Sequence, residues 1–218
     1  MPPEIQPNAG RDLMRIHKVI TRALVVTVET TQGAGPAPEL RPGFHSYVRA
    51  LVSLLHAHHT GEDEIAFPFW RERLPEGPFD LLSSHHRAMI PVLDRIGVWV
   101  ALDSGAWEAA ALTWLSRDLS ALQALWRPHI VLEEATVGEG PSAERLSPAE
   151  NAQLAGELAA HGTAHAQPAE LVMPFILYNL PAADRESFAR VLPPIVTQQL
   201  VPGPWRAAWA PMTPFLLE

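Results

Sequence analysis

Cysteine is absent from the 218 residues. Disulfides, thiolate metal sites, haem-thiolate ligation and cysteine nucleophiles are therefore excluded together. Lysine occurs once, at Lys18, and the formal net charge of −8 argues against a nucleic-acid or anionic-membrane partner. No run approaches the roughly 18 to 20 apolar residues that a membrane span needs. The N-terminus, "MPPEIQPNAG", lacks a basic segment leading into an apolar one, so no signal peptide is expected and the cytoplasm is the expected location. Sustained alternation of period two is also missing, so strands are not expected. Internal repeats and low-complexity tracts are not seen.

Apolar periodicity of three and four, by contrast, runs through the chain. Leu13, His17, Ile20, Leu24 and Val28 form one stripe. Tyr47, Leu51, Leu55, His58, Glu62, Ile65 and Phe69 form a second, and Leu82, His86, Met89, Leu93, Ile96 and Val100 a third. The fourth is Leu112, Leu115, Leu119, Leu122, Trp126, His129 and Glu133. The breaks "TQGAGPAPELRPG", "LPEGPFD" and "LDSGAW" are turn-like. Four amphipathic helices with short connections predict an all-α, up-down-up-down four-helix bundle over residues 1–140. Pro68, Pro91 and Pro128 each remove a backbone donor and invite a kink. Residues 141–218 read as shorter helices, a helical C-terminal extension packed on the bundle.

Histidine is the residue in surplus, with ten in the chain. The stretch "HAHHTGEDEIAFPFW", His56–Trp70, crowds imidazoles against carboxylates and then turns apolar. His17, His58, His86 and His129 each sit in an apolar stripe, one per helix, and Glu62 and Glu133 follow two of them by four residues on the same faces. A lone histidine on a helix face is more often a hydrogen-bonded core residue than a ligand. A single His-x-x-x-Glu is commonly a surface pair. Two such pairs on different helices, with one in-stripe histidine on each remaining helix, are a different pattern. Buried carboxylates need partners or lose their charge, and imidazole with carboxylate suits iron, zinc, manganese or copper. Six ligands are too many for one tetrahedral zinc. They suit two metals with bridging carboxylates, and two redox-active irons would imply chemistry with dioxygen, peroxide or nitric oxide.

The order His17, His58-x-x-x-Glu62, His86, His129-x-x-x-Glu133 resembles the motif of the hemerythrin-like (HHE cation-binding) family, notably its actinobacterial and mycobacterial members. The text "HHTGEDEIAFPFW" resembles their second-helix signature, and the likeness covers roughly residues 11 to 138. The tail "VMPFILYNLPAADRESFARVLPP" looks like the C-terminal segment of the longer members. This resemblance implies a four-helix bundle holding two non-haem iron ions. His17 and His58 would serve one iron, His86 and His129 the other, and Glu62 and Glu133 would bridge. Ferritin-like diiron bundles use Glu-x-x-His pairs instead, and no Glu-x-x-His occurs here. Oxygen-carrying hemerythrins have His-x-x-x-His on the third helix, whereas His86 is followed four later by Ile90. One iron is thus expected to lack a nitrogen ligand and keep an open position, which speaks against reversible oxygen carriage.

Several neighbours are ambiguous from sequence. His85 competes with His86 for the third-helix position. His59 and Asp63 repeat the four-residue spacing one position round the helix, as partners of the ligands or as solvated residues. Glu134, one position beyond Glu133, lies outside the stripe and is expected to play no part in the site. His45 and His56 have no in-register acid and are expected at the surface or in a structural role. His161 and His165 stand four apart, but Gly162 weakens the helix that their pairing presumes. Tyr47 brings a phenol into the second stripe, near the metal or merely packed. Three functions fit: a protein that binds or turns over dioxygen, peroxide or nitric oxide in detoxification or sensing, an oxygenase with an organic substrate, and a non-enzymatic iron- or oxygen-responsive module.

Overall fold

Asn8 opens the first helix. Its side chain accepts the amide of Arg11 at 2.8 Å, satisfying one of the donors that every helix start leaves free. The computed structural model describes residues 8–102 and 109–217. Helix α1 (Ala9–Thr31) leads into a turn where Gly33 and Gly35 take φ of 64° and 72°, a region strained for other residues. Helix α2 (Arg41–Gly61) passes without a break into a π-helical turn (Glu62–Ala66) and then α3 (Phe67–Arg71). Helices α4 (Phe79–Ala101) and α5 (Ala109–Val137) follow, each running through an internal proline, Pro91 and Pro128. The turn expected at "LDSGAW" (102–107) lies, beyond Leu102, outside the described residues.

Helix α1 packs against α2 and α5, and α4 packs against α2 and α5, closing a ring of four. The core itself reveals the direction of each helix. Buried apolar residues form two clusters: a large one with Ile20, Leu55, Met89 and Trp126, and a smaller one with Phe67, Leu82, Val137 and Leu154. Going along α1, the chain leaves the small cluster at Leu13, passes His17 and enters the large one at Ile20. Along α2 the order reverses, from Leu55 through His58 and Glu62 to Ala66 and Phe67. In α4 it runs from Leu82 through His86 to Met89, and in α5 from Trp126 through His129 and Glu133 to Val137. The bundle is therefore all-α and up-down-up-down, with a single polar layer separating two apolar cores. No strand occurs among the described residues, and none of the helices is long and apolar enough to cross a membrane.

The second stripe needs one correction. A π-turn closes hydrogen bonds five residues back, here from the Phe67 amide to the Glu62 carbonyl, so the buried face advances by one residue. Ala66, Phe67 and Trp70 are buried, while the expected Ile65 and Phe69 are only half-buried. Pro68 lies just beyond; having no N–H, it cannot donate to the helical ladder in any case.

The remaining chain folds over α1 and α2 as α6 (Glu139–Arg145), α7 (Pro148–His165), α8 (Ala169–Asn179), α9 (Ala182–Ala189), a second π-turn (Val196–Leu200), α10 (Arg206–Trp209) and a 3-10 segment (Ala210–Phe215). Ser147 and Glu150 form a reciprocal capping box at the start of α7. That helix continues through Gly162 to His165, contrary to expectation. Tyr47 belongs to this packing. Its hydroxyl donates to Asn179 Oδ1 at 2.6 Å, its ring lies 4.9 Å from Phe175 and 5.8 Å from Phe215, and Arg22 donates to Asn179 and to the Phe215 carbonyl. The phenol thus joins the extension to α1 and α2.

Candidate metal centre

The polar layer holds the six residues singled out by the motif, and all six come together. His17 and Glu62 are 1% exposed, and His86, His129 and Glu133 are 0% exposed. The His58 side chain is also nearly covered. Their ligand atoms fall into two groups, each within 4.8 Å: His17, His58, Glu62 and Glu133 in one, His59, His86 and His129 in the other. His59 is the residue that the motif missed; it is buried beside His86 with ring centroids 4.2 Å apart.

The two glutamates lie between the groups. Glu62 Oε1 is 3.1 Å from His58 Nε2 and 3.9 Å from His17 Nε2, while its Oε2 is 3.2 Å from His86 Nε2. Glu133 Oε2 is 3.3 Å from both His17 Nε2 and His129 Nε2. Each carboxylate therefore faces imidazoles of both groups. Two ring nitrogens, His86 Nε2 and His129 Nε2, also face each other at 3.2 Å.

Whether a metal suits these residues can be judged from what they leave unmet. All four carboxylate oxygens of Glu62 and Glu133 are buried without a hydrogen bond, as are His17 Nε2, His58 Nε2 and both nitrogens of His59. The charge that the chain itself sets against these buried carboxylates is that of protonated His17 and His86, and a bound cation would take its place. Hard oxygen and imidazole nitrogen donors converging in a dry layer fit divalent or trivalent transition metals.

Outer partners orient the rings. His86 Nδ1 donates to Asp63 Oδ2 at 3.0 Å, and Asp63 in turn accepts from Ser83 at 2.6 Å. His17 Nδ1 donates to Glu134 Oε1, also at 3.0 Å. Because a carboxylate can only accept, each Nδ1 carries the proton and each Nε2 is turned toward the site. Asp63 is thus a partner of His86, not merely solvated. Glu134, although outside the apolar stripe, thus reaches the outer edge of an imidazole that lies in it.

Burial and charge act oppositely on these groups. Burial holds His58 down to about 4, with the charges of His17 and His86 adding to it against Glu62. Burial, and then His86, His58 and His129, hold His59 well below the usual histidine range. Burial would also lower His86, but Asp63 and Glu62 lift it to about 9. His17 is raised in the same way, Glu133, Glu134 and Glu62 outweighing its burial. For Glu133 burial favours the proton, but His17 and His129 overcome it and keep the carboxyl ionised.

Trp126 forms an apolar wall, its ring 5.4 Å from His17, 5.7 Å from His58 and 5.7 Å from His129, with its indole N–H bonded to Thr21. Phe67 stacks on His86 at 5.4 Å. Beside Glu133 lies a void of about 10 Å³, lined by Leu13, Ala66, Trp70, Val137 and, from α7, Leu154 and Leu158. A larger surface groove of about 490 Å³, between Arg95, Trp99, Trp114 and Arg117, touches none of these side chains.

Other histidines stand apart. His85 is half-buried, its ring 5.8 Å from His129, and belongs to neither ligand group. His45 bonds the Val100 carbonyl, and His56 lies 3.5 Å from Asp94. His161 and His165 stack at 4.2 Å with His161 Nε2 bonded to Thr60, and no third ligand groups with them among the described residues.

Residues 9–139 match the family described as the hemerythrin HHE cation binding domain. No curated protein and no solved structure matches the chain. The family match takes in more than half of the 218 residues, and with them all four helices of the bundle and every side chain of the polar layer. The chain therefore belongs to the hemerythrin HHE cation-binding domain family.

Proposed function

We propose that the chain is a non-haem diiron protein that binds or reacts with dioxygen, peroxide or nitric oxide, in detoxification or sensing. One observation carries the diiron reading: Glu62 and Glu133 each lie within 3.3 Å of imidazoles of both ligand groups. Glu62 turns a different oxygen to each group and Glu133 turns Oε2 to both, so two metals, His17 and His58 on one and His86 and His129 on the other, would each find a carboxylate oxygen where a single metal would leave one group unused. When bound, such an iron pair supplies redox chemistry toward small oxygen- or nitrogen-containing ligands. The chain does the rest. Asp63 and Glu134 fix the His86 and His17 rings, and Trp126 and Phe67 keep bulk water from the donors.

The void beside Glu133 favours a small ligand. At about 10 Å³ it has room for one water-sized molecule. Pockets for organic substrates are typically about 300 to 1,000 Å³. The oxygenase reading is accordingly the weaker one.

Metal analysis and an optical spectrum of protein purified aerobically after iron-replete expression test the proposal. About two irons per chain and a near-ultraviolet charge-transfer band are the expected result. A single zinc, or no metal, would refute the diiron reading.

A further inference from the structure

Helix α4 has no second imidazole one turn after His86; Ile90 stands there, half-buried. A metal held by His86 and His129 alone would lack a nitrogen donor. The third imidazole near that position comes from another helix. His59 is 2% exposed, neither of its ring nitrogens has a hydrogen-bond partner, and one of them lies within 4.8 Å of donor nitrogens of His86 and His129. Its ring stacks on His86 at 4.2 Å and meets His129 edge-on at 6.0 Å.

Resting on the diiron reading above, we propose that His59 is a seventh ligand, completing a three-imidazole set with His86 and His129. Helix geometry explains how α2 can serve both metals. Consecutive residues point about 100° apart, so His58 turns toward His17 and His59 toward His86 and His129. Glu62, four residues after His58 and three after His59, falls between them. One turn of α2 thereby supplies a nitrogen to each metal and a carboxylate to both. The coordination that results is unequal in the opposite sense to the third-helix count. A metal on His59, His86 and His129 would have three imidazoles, and one on His17 and His58 would have two, leaving it the more room for an exogenous ligand. Being unpaired in the metal-free chain, the His59 ring contributes no hydrogen bond to the fold, so an apolar replacement of similar breadth should fold.

The test is metal titration of the wild type, His59→Leu and His59→Phe with ferrous iron under anaerobic conditions, read by iron stoichiometry and circular dichroism. Two irons in the wild type, with one of the two sites weakened at least tenfold in both folded variants, is the expected result. Two irons of unchanged affinity in either folded variant would overturn the role of His59 while leaving the diiron reading in place. No more than one iron in the wild type would overturn both. A crystal structure of the iron-loaded wild type decides independently of any variant: a His59 nitrogen within bonding distance of iron supports the proposal, and a ring turned away from both irons overturns it.

Discussion

Whether a side chain in the polar layer binds metal or only supports a ligand depends on which atom it presents. Glu133 faces His17 and His129 with an oxygen that has no other partner, whereas Glu134 meets the far nitrogen of His17. Glu133→Ala should therefore lose iron from both positions, and iron analysis of the purified variant checks it. Glu134→Ala should keep the site but bind iron roughly 10- to 100-fold more weakly, the usual cost of removing a partner that orients a ligand. A competition titration against a chelator measures this. Equal affinity in Glu134→Ala and the wild type would mean that the 3.0 Å contact to His17 does nothing for the metal. Much of this layer could be read from the sequence, because histidine and glutamate in an apolar stripe stand out against leucine. His59 could have been read too: it lies four residues after Leu55, on the same face, as His58 lies three after it. A stripe followed one residue per turn passes over the second of two adjacent histidines. Asp63 was marked only by its spacing from His59 and Glu134 not at all, since acids on a solvated flank look alike whether or not they touch a ring.

At the level of the element, the four stripes identified four bundle helices and their order, because burial of one face per helix leaves a period that survives in sequence. The π-turn at Glu62–Ala66 was not legible. A hydrogen bond that slips by one residue changes no composition; only its consequence, the shift of burial from Ile65 and Phe69 to Ala66, Phe67 and Trp70, reveals it. The extension was legible as helix but not in how it docks. Tyr47 shows why: its bond to Asn179 joins residues 132 apart in the chain. Tyr47→Phe should cost about 1 kcal/mol in a chemical denaturation experiment, the ordinary value of one such bond, and leave the iron content and optical spectrum unchanged. A changed spectrum would put the phenol at the metal instead. Gly43 sets the docking of the C-terminal 3-10 segment on α2, because a Cβ there would overlap the Pro211 carbonyl. At the start of α7, the Glu150 carboxyl is held at about 2 by its bonds to Ser147 and to Arg73. A carboxyl depressed in the folded chain stabilises it above the ordinary value of 4.5, and that contribution fades as pH falls toward 2. The difference in melting temperature between the wild type and Glu150→Gln should therefore be constant above about pH 5 and shrink below it, as melts across pH 3 to 7 would show.

For the molecule as a whole, the polar layer cuts the hydrophobic core in two. Without metal, the buried oxygens of Glu62 and Glu133 weaken the joint between the cores. Bound metal would meet those oxygens and tie α1, α2, α4 and α5 together, so its binding energy would become folding energy. At a metal concentration a thousand times the dissociation constant this amounts to about 4 kcal/mol. The metal-free protein should melt well below the iron-loaded one, and Glu133→Ala should abolish most of that difference; calorimetry with and without iron tests both. An iron-responsive module would draw on the same dependence of stability on metal, so this property alone does not separate sensing from turnover. Peroxide consumption by the loaded protein does. The central claim is that Glu62 and Glu133 hold two irons against each other, and its most direct test is magnetic. In protein loaded with iron-57 and oxidised, Mössbauer and electron paramagnetic resonance spectra together report whether the ferric ions are coupled. The account predicts a coupled pair with no paramagnetic signal, accounting for nearly all of the iron. The signal of isolated high-spin ferric ions, integrating to the full iron content, would contradict it.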